Sequence, residues 1–99
     1  MSAIERLRRI MVRLRDPAGG CPWDREQDWA SIAPHTIEEA YELADAIARG
    51  EPEAVRDELG DVLFQVVFQS RIAEERGLFD FDAVATSIAD KLERRHPHV

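Results

Sequence analysis

The chain has 99 residues and a formal net charge of −7, from 13 basic and 20 acidic side chains. That length supports one small domain with a modest core, and the acidic balance excludes a general binder of nucleic acid polymers, which wants a basic face. Charged residues make up 33% and hydrophobic residues 44%, which fits a helix-rich globular domain. The single Cys21 rules out an internal disulfide, and no apolar run approaches membrane-spanning length or forms a signal-peptide core. A cytoplasmic setting without membrane contact is expected.

Residues 3–15 place Ile4, Leu7, Ile10/Met11 and Leu14 on one stripe with arginines on the other faces. This predicts an amphipathic first helix, ended by Asp16-Pro17-Ala18-Gly19-Gly20. The next segment, Cys21-Pro22-Trp23-Asp24-Arg25-Glu26-Gln27-Asp28-Trp29, reads as a loop with two tryptophans. One reading has them capping the bundle core, with Asp24 capping a short turn. The other has Trp23 forming a wall for a flat ligand such as a nucleobase, because aromatic faces stack on bases.

A second helix is expected from near Ser31 or Thr36 to Gly50. Ser31 can cap with Pro34 in the first turn, and Thr36 with Glu39 matches a capping box. A third begins near Glu51-Pro52 and runs to about Arg76, with Gly77 past its end. Asp80 caps a fourth, in which Phe81, Val84, Ile88 and Leu92 recur at helical spacing and which Pro97 stops. No stretch alternates with period two strongly enough to be a strand. The expected fold is all-α: four helices with short connections, the second and third forming an antiparallel hairpin.

That hairpin carries two acidic clusters, Glu38-Glu39-x-x-Glu42 and Glu58-x-x-Asp61. Residues three and four apart share a helix face, so each cluster can converge on one point. Facing carboxylate pairs suit a hard divalent cation, which takes oxygen ligands and keeps waters for a phosphate substrate. The competing reading for Glu38, Glu39 and Glu42 is a solvated face, since Ile37, Ala40, Tyr41, Ala44, Ile47 and Ala48 form an apolar arc largely opposite them. Asp61 stands in an apolar run, from Leu59 to Phe68, that points all round its helix. Such a helix is expected to be buried, where a charge needs a partner or a metal. Lys91, Arg94 and Arg95 form a basic cluster that either complements a helix C-terminus or meets substrate phosphates. Helix three offers more apolar faces than one neighbour covers, so self-association is expected.

These residues resemble the MazG family of nucleoside triphosphate pyrophosphohydrolases. The resemblance lies in Glu38-Glu39-Ala40-Tyr41-Glu42 followed by Glu58-Leu59-Gly60-Asp61, together with Cys21-Pro22-Trp23-Asp24, Ile32-Ala33-Pro34, the segment from Asp57 to Phe68 and the segment from Lys91 to Val99. It covers nearly the whole chain. It implies an all-α bundle that pairs with a second copy, as a homodimer or higher homo-oligomer, and Mg²⁺-dependent hydrolysis (Mn²⁺ being an alternative ion) of a (d)NTP to the monophosphate and pyrophosphate. It implies metal ligands at Glu39, Glu42, Glu58 and Asp61, with Glu38 as a further ligand or base. Trp23 would then line the base pocket, and Lys91, Arg94 and Arg95 would contact the phosphates. Asp28-Trp29, His35 and Gln69-Ser70 depart from common family residues, which bears on base preference and leaves the carboxylates intact. Residues 1–99 resemble the N-terminal half of a longer two-domain protein. A non-catalytic nucleotide-binding, dimerisation or regulatory module is the alternative function.

Overall fold

The computed structural model describes residues 1–99 and contains only helices: α1 (Ala3–Leu14), α2 (Pro22–Arg25), α3 (Trp29–Arg49), α4 (Pro52–Glu75) and α5 (Phe81–Arg95). Caps account for most boundaries. Ser2 accepts from the Glu5 amide at the start of α1 and Asp80 from the Ala83 amide at the start of α5. Gly50, at φ 68°, and Gly77, at φ 70°, follow α3 and α4 in the left-handed region that a side chain resists. Only Gly50 and Glu51 separate α3 from Pro52, so the chain doubles back and the two long helices pair antiparallel.

Helix α3 begins earlier than the Ser31 or Thr36 start expected from sequence. Asp28 is its cap: the Ser31 amide donates to Asp28 Oδ1 and the Asp28 amide to Ser31 Oγ, each at 2.8 Å. Ser31 therefore serves as the reciprocal partner, and Thr36 lies well inside the helix, with no capping role. The earlier start also lets Trp29 close the seam, where its indole donates to the Gln69 carbonyl at 3.1 Å and its ring stacks on Phe79.

The core is thin. Nine of 99 residues are buried, and Met11, Ile32, Val67, Phe68 and Ile72 form its contiguous centre, flanked by Ile4, Leu7, Trp29, Phe64 and Phe81. Helix α5 has no buried residue. It packs on α4 and is tied to α1 by the Arg8–Asp82 pair at 3.4 Å. The radius of gyration is 15.3 Å, where a compact domain of this length has about 13 Å.

Two expectations about faces are corrected. The arc from Ile37 to Ala48 is exposed, with Tyr41 74% and Ile37 60% accessible. The face of α3 turned toward α4 instead carries Ile32, His35, Thr36, Glu39, Leu43 and Ala46. Asp61 is exposed too, as are Leu59, Leu63 and Val66 around it, so α4 is not buried on all sides. Its all-round apolar pattern exceeds what α1, α3 and α5 cover.

Arg15 ties the loop segment to the bundle. Its side chain is 7% exposed. It donates to both Glu75 oxygens at 3.0 and 2.6 Å, and to the Asp24 and Gln27 carbonyls at 2.8 and 2.7 Å. Its guanidinium also sits over the Phe68 ring. Two of these bonds tie down the last turn of α2, at Asp24, and the link that follows it, at Gln27. Where the loop folds back on α1, a side chain at Gly20 would collide with the Leu14 carbonyl. Arg15→Met keeps the stem and removes the five donors, so Glu75 keeps only Arg71 and the Asp24 and Gln27 carbonyls lose their guanidinium bonds. The expected loss is about 3 kcal/mol, seen in thermal melts as a Tm lower by roughly 10–20 °C. Arg9→Met, at an exposed arginine without an ion pair, should move Tm little; equal effects would show that the Arg15 bonds do not hold the loop.

Candidate metal centre

The antiparallel hairpin pairs low numbers on α3 with high numbers on α4. Trp29 meets Gln69, Thr36 meets Gln65 and Gln69, and one turn further along Glu39 meets Glu58 and Asp61. Each of those three carboxylates offers one oxygen within 4.8 Å of the others. Glu42, one turn beyond Glu39, lies beside Glu58, and the two border a shallow depression with Tyr41, Asp45 and Arg49. Glu38 is exposed next to the group.

None of the five carboxylates forms a salt bridge. Arg49, which borders the depression, is committed to Asp45 and Glu51. Oε2 of Glu39 and Oε2 of Glu58 are shut off from solvent and have no hydrogen-bond partner. A solvated acidic face does not bury unpaired oxygens, so for Glu39 that reading fails. An inaccessible carboxylate oxygen without a donor costs free energy, and a cation supplies the missing partner. The residues present therefore fit a divalent ion: hard oxygen donors from two helices, converging and lacking a counter-charge.

The same geometry raises two proton affinities. Desolvation lifts the Glu39 carboxyl above its ordinary value of 4.5, with the charge of Asp61 and then Glu42, Glu58 and Glu38 adding to it. Glu58 is raised chiefly by desolvation as well, followed by the charges of Glu42 and Asp61.

The other residues singled out from sequence fall elsewhere. Trp23, 50% exposed, lies at the N-terminal end of the seam. Its ring meets His35 edge-on at 5.4 Å and Phe68 at 6.4 Å. It thus covers part of the core and still shows surface to solvent, one turn of α3 away from Glu39 through His35. Lys91, Arg94 and Arg95 are exposed on α5, a helix packed on α4 and α1, and this chain does not bring them into the carboxylate group. His96 contacts the Leu92 carbonyl through Nδ1 at 2.7 Å and stays outside the cluster. Sequence reasoning missed Gln65, a buried amide inside the apolar run of α4. A lone polar residue in such a run was the available signal.

Because the folded pKa values of Glu39 and Glu58 are raised, the folded state binds more protons than the unfolded chain above the ordinary Glu value of 4.5. Metal-free stability contributed by these groups is present below that pH and lost as pH rises through the raised values. Glu39→Gln removes the charge and keeps the shape. In chelator, its Tm should exceed that of the unmodified chain at pH 7, and the gap should close toward pH 4.5. A variant less stable than the parent at pH 7 would contradict the buried, unpaired oxygen.

Comparison with known proteins bears on the same residues. The MazG nucleotide pyrophosphohydrolase domain matches residues 27–99. A nucleoside triphosphate pyrophosphohydrolase of Escherichia coli K12 is 61% identical over 99 residues, all of this chain and 38% of that protein. A nucleoside triphosphate pyrophosphohydrolase/pyrophosphatase MazG of Thermotoga maritima is 50% identical over 95 residues, 96% of this chain and 37% of that protein. Bacillus subtilis YabN, an uncharacterized protein, is 46% identical over 92 residues, 93% of this chain and 19% of its own length. The chain therefore spans less than two fifths of the length of these curated relatives. With the domain match covering most of the sequence and the paired acidic helices inside it, the chain belongs to the MazG nucleotide pyrophosphohydrolase family.

Proposed function

We infer that this chain binds a nucleoside triphosphate through a divalent ion, Mg²⁺ or Mn²⁺, and hydrolyses it to the monophosphate and pyrophosphate. The observation that carries this reading is the convergence of Glu39, Glu58 and Asp61 within 4.8 Å, with two of their oxygens hidden and unpartnered. The names of the relatives support the substrate class. Residues 1–99 form one such domain.

Glu39, Glu42, Glu58 and Asp61 would hold the ion. When bound, it neutralises triphosphate charge and makes a nearby water more acidic. Glu38, exposed beside the group, orients the water and takes its proton as the oxygen attacks the α-phosphorus. The bond from that phosphorus to the bridging oxygen breaks, and pyrophosphate leaves. Trp23 stacks on the base. Lys91, Arg94 and Arg95 stabilise the departing charge. Since α5 does not pack beside the cluster, we assign that contact to a second copy, seated on the uncovered faces of α3 and α4.

Asp61→Asn keeps shape and removes one charge. Pyrophosphate release with Mg²⁺ should fall beyond about 100-fold, the upper range for losing an outer partner of a metal ligand, while the helical spectrum is unchanged. Turnover at the parent rate would remove Asp61 from the site. For Trp23→Ala, nucleotide binding should weaken by about 1–3 kcal/mol for purines and pyrimidines alike. Unaltered affinity, read below the variant's Tm, would leave Trp23 only a core cover.

A further inference from the structure

The seam between α3 and α4 contains a chain of polar contacts that the proposed chemistry does not use. Gln69 Nε2 donates to Thr36 Oγ1 at 2.6 Å, and the Thr36 hydroxyl donates to Gln65 Oε1 at 3.1 Å. The Ile32 carbonyl, at 3.5 Å, is the more distant acceptor for that one hydroxyl proton. Gln65 is 5% exposed. On the other flank, the Trp29 indole donates to the Gln69 carbonyl. A buried amide such as Gln65 is costly unless paired, so an apolar residue there would have been the simpler construction.

Their position suggests what they are for. Thr36 stands three residues before Glu39, and Gln65 four residues after Asp61. Each therefore lies one turn from the carboxylates, on the same face of its helix. The hydrophobic effect is non-directional, and on α3 only Ile32, one turn before Thr36, and Ala46 are buried, so few apolar side chains specify the register there. A slip of one turn would move α3 by about 5.4 Å along α4, more than the 4.8 Å within which the three carboxylates meet. Repulsion among Glu39, Glu58 and Asp61 favours such a slip or a splaying of the seam. Directional bonds between a hydroxyl and two amides resist it, in the way a buried polar residue sets register in paired helices.

We propose that the Thr36–Gln65–Gln69 network is a positioning element for the carboxylate cluster, locking α3 and α4 in the register that lets Glu39 meet Glu58 and Asp61. It rests on the metal-site reading above and deepens it: these residues hold the ligands in place without touching ion or substrate.

The test is Mn²⁺ titration of the whole chain by calorimetry or electron spin resonance, with no nucleotide present. Thr36→Val keeps the volume and removes the hydroxyl, Thr36→Ser restores it, and Ile72→Val thins the core without touching a polar partner. With helicity verified by circular dichroism, Thr36→Val should bind Mn²⁺ about 10- to 100-fold more weakly, as for loss of an outer-shell partner. Thr36→Ser and Ile72→Val should bind like the parent. Parent-like affinity in Thr36→Val would overturn the proposal, and so would an equal loss in Ile72→Val, which would mark the effect as general loosening. If the parent itself takes up no Mn²⁺, the metal-site reading falls and the positioning role falls with it.

Discussion

Glu39, Glu58 and Asp61 carry like charges and yet gather within 4.8 Å across two helices. Nothing in the chain neutralises them. What opposes their repulsion is the seam of α3 and α4: a two-residue link at one end, the Trp29 and Thr36 bonds at the other, and Phe68 and Ile32 packed against Met11 of α1. The fold thus spends its few directional interactions where the charge density is highest. Such stored repulsion is relieved by a cation, which couples metal occupancy to stability of the pair of helices.

The same seam explains the mixed character of α3. Thr36 and Glu39 face α4 beside Ile32, Leu43 and Ala46, while Glu38, Glu42, Ile37, Tyr41 and Ile47 are exposed. A helix whose apolar arc is left over is unfinished as a monomer surface. Leu59, Leu63 and Val66 on α4, and Ile88 and Leu92 on α5, extend the exposed apolar surface. Surface of this kind is what the second copy proposed above would cover. It agrees with a radius of gyration above that of a closed domain and with the second copy proposed to complete the site.

Much of this was legible in the sequence, and the misses have physical causes. Gly50, Gly77, Pro52 and Asp80 act through local backbone geometry, so their positions marked helix ends correctly. The carboxylate pairs were legible because i, i+3 and i, i+4 spacing is also local. The start of α3 was misplaced because Asp28, Ser31 and Thr36 are all competent caps, and the reciprocal Asp28–Ser31 pair takes the role. Asp61 was read as buried because periodicity reports how apolar a helix is on each side, not whether a neighbour arrives to cover it. Arg15 looked like one more arginine on a charged face. Its partner Glu75 is 60 residues away, and no local pattern encodes that. Thr36 was assigned a capping role since its partners, Gln65 and Gln69, become visible only when the hairpin closes.

The most direct measurement is an anomalous-scattering map from crystals of this chain grown with Mn²⁺. A single strong site, or a pair of sites, is expected between Glu39, Glu58 and Asp61, with Glu42 in reach. Peaks held only by other groups, such as His96 and His98, or a carboxylate cluster without any peak at saturating Mn²⁺, would contradict the assignment of this hairpin as the metal centre.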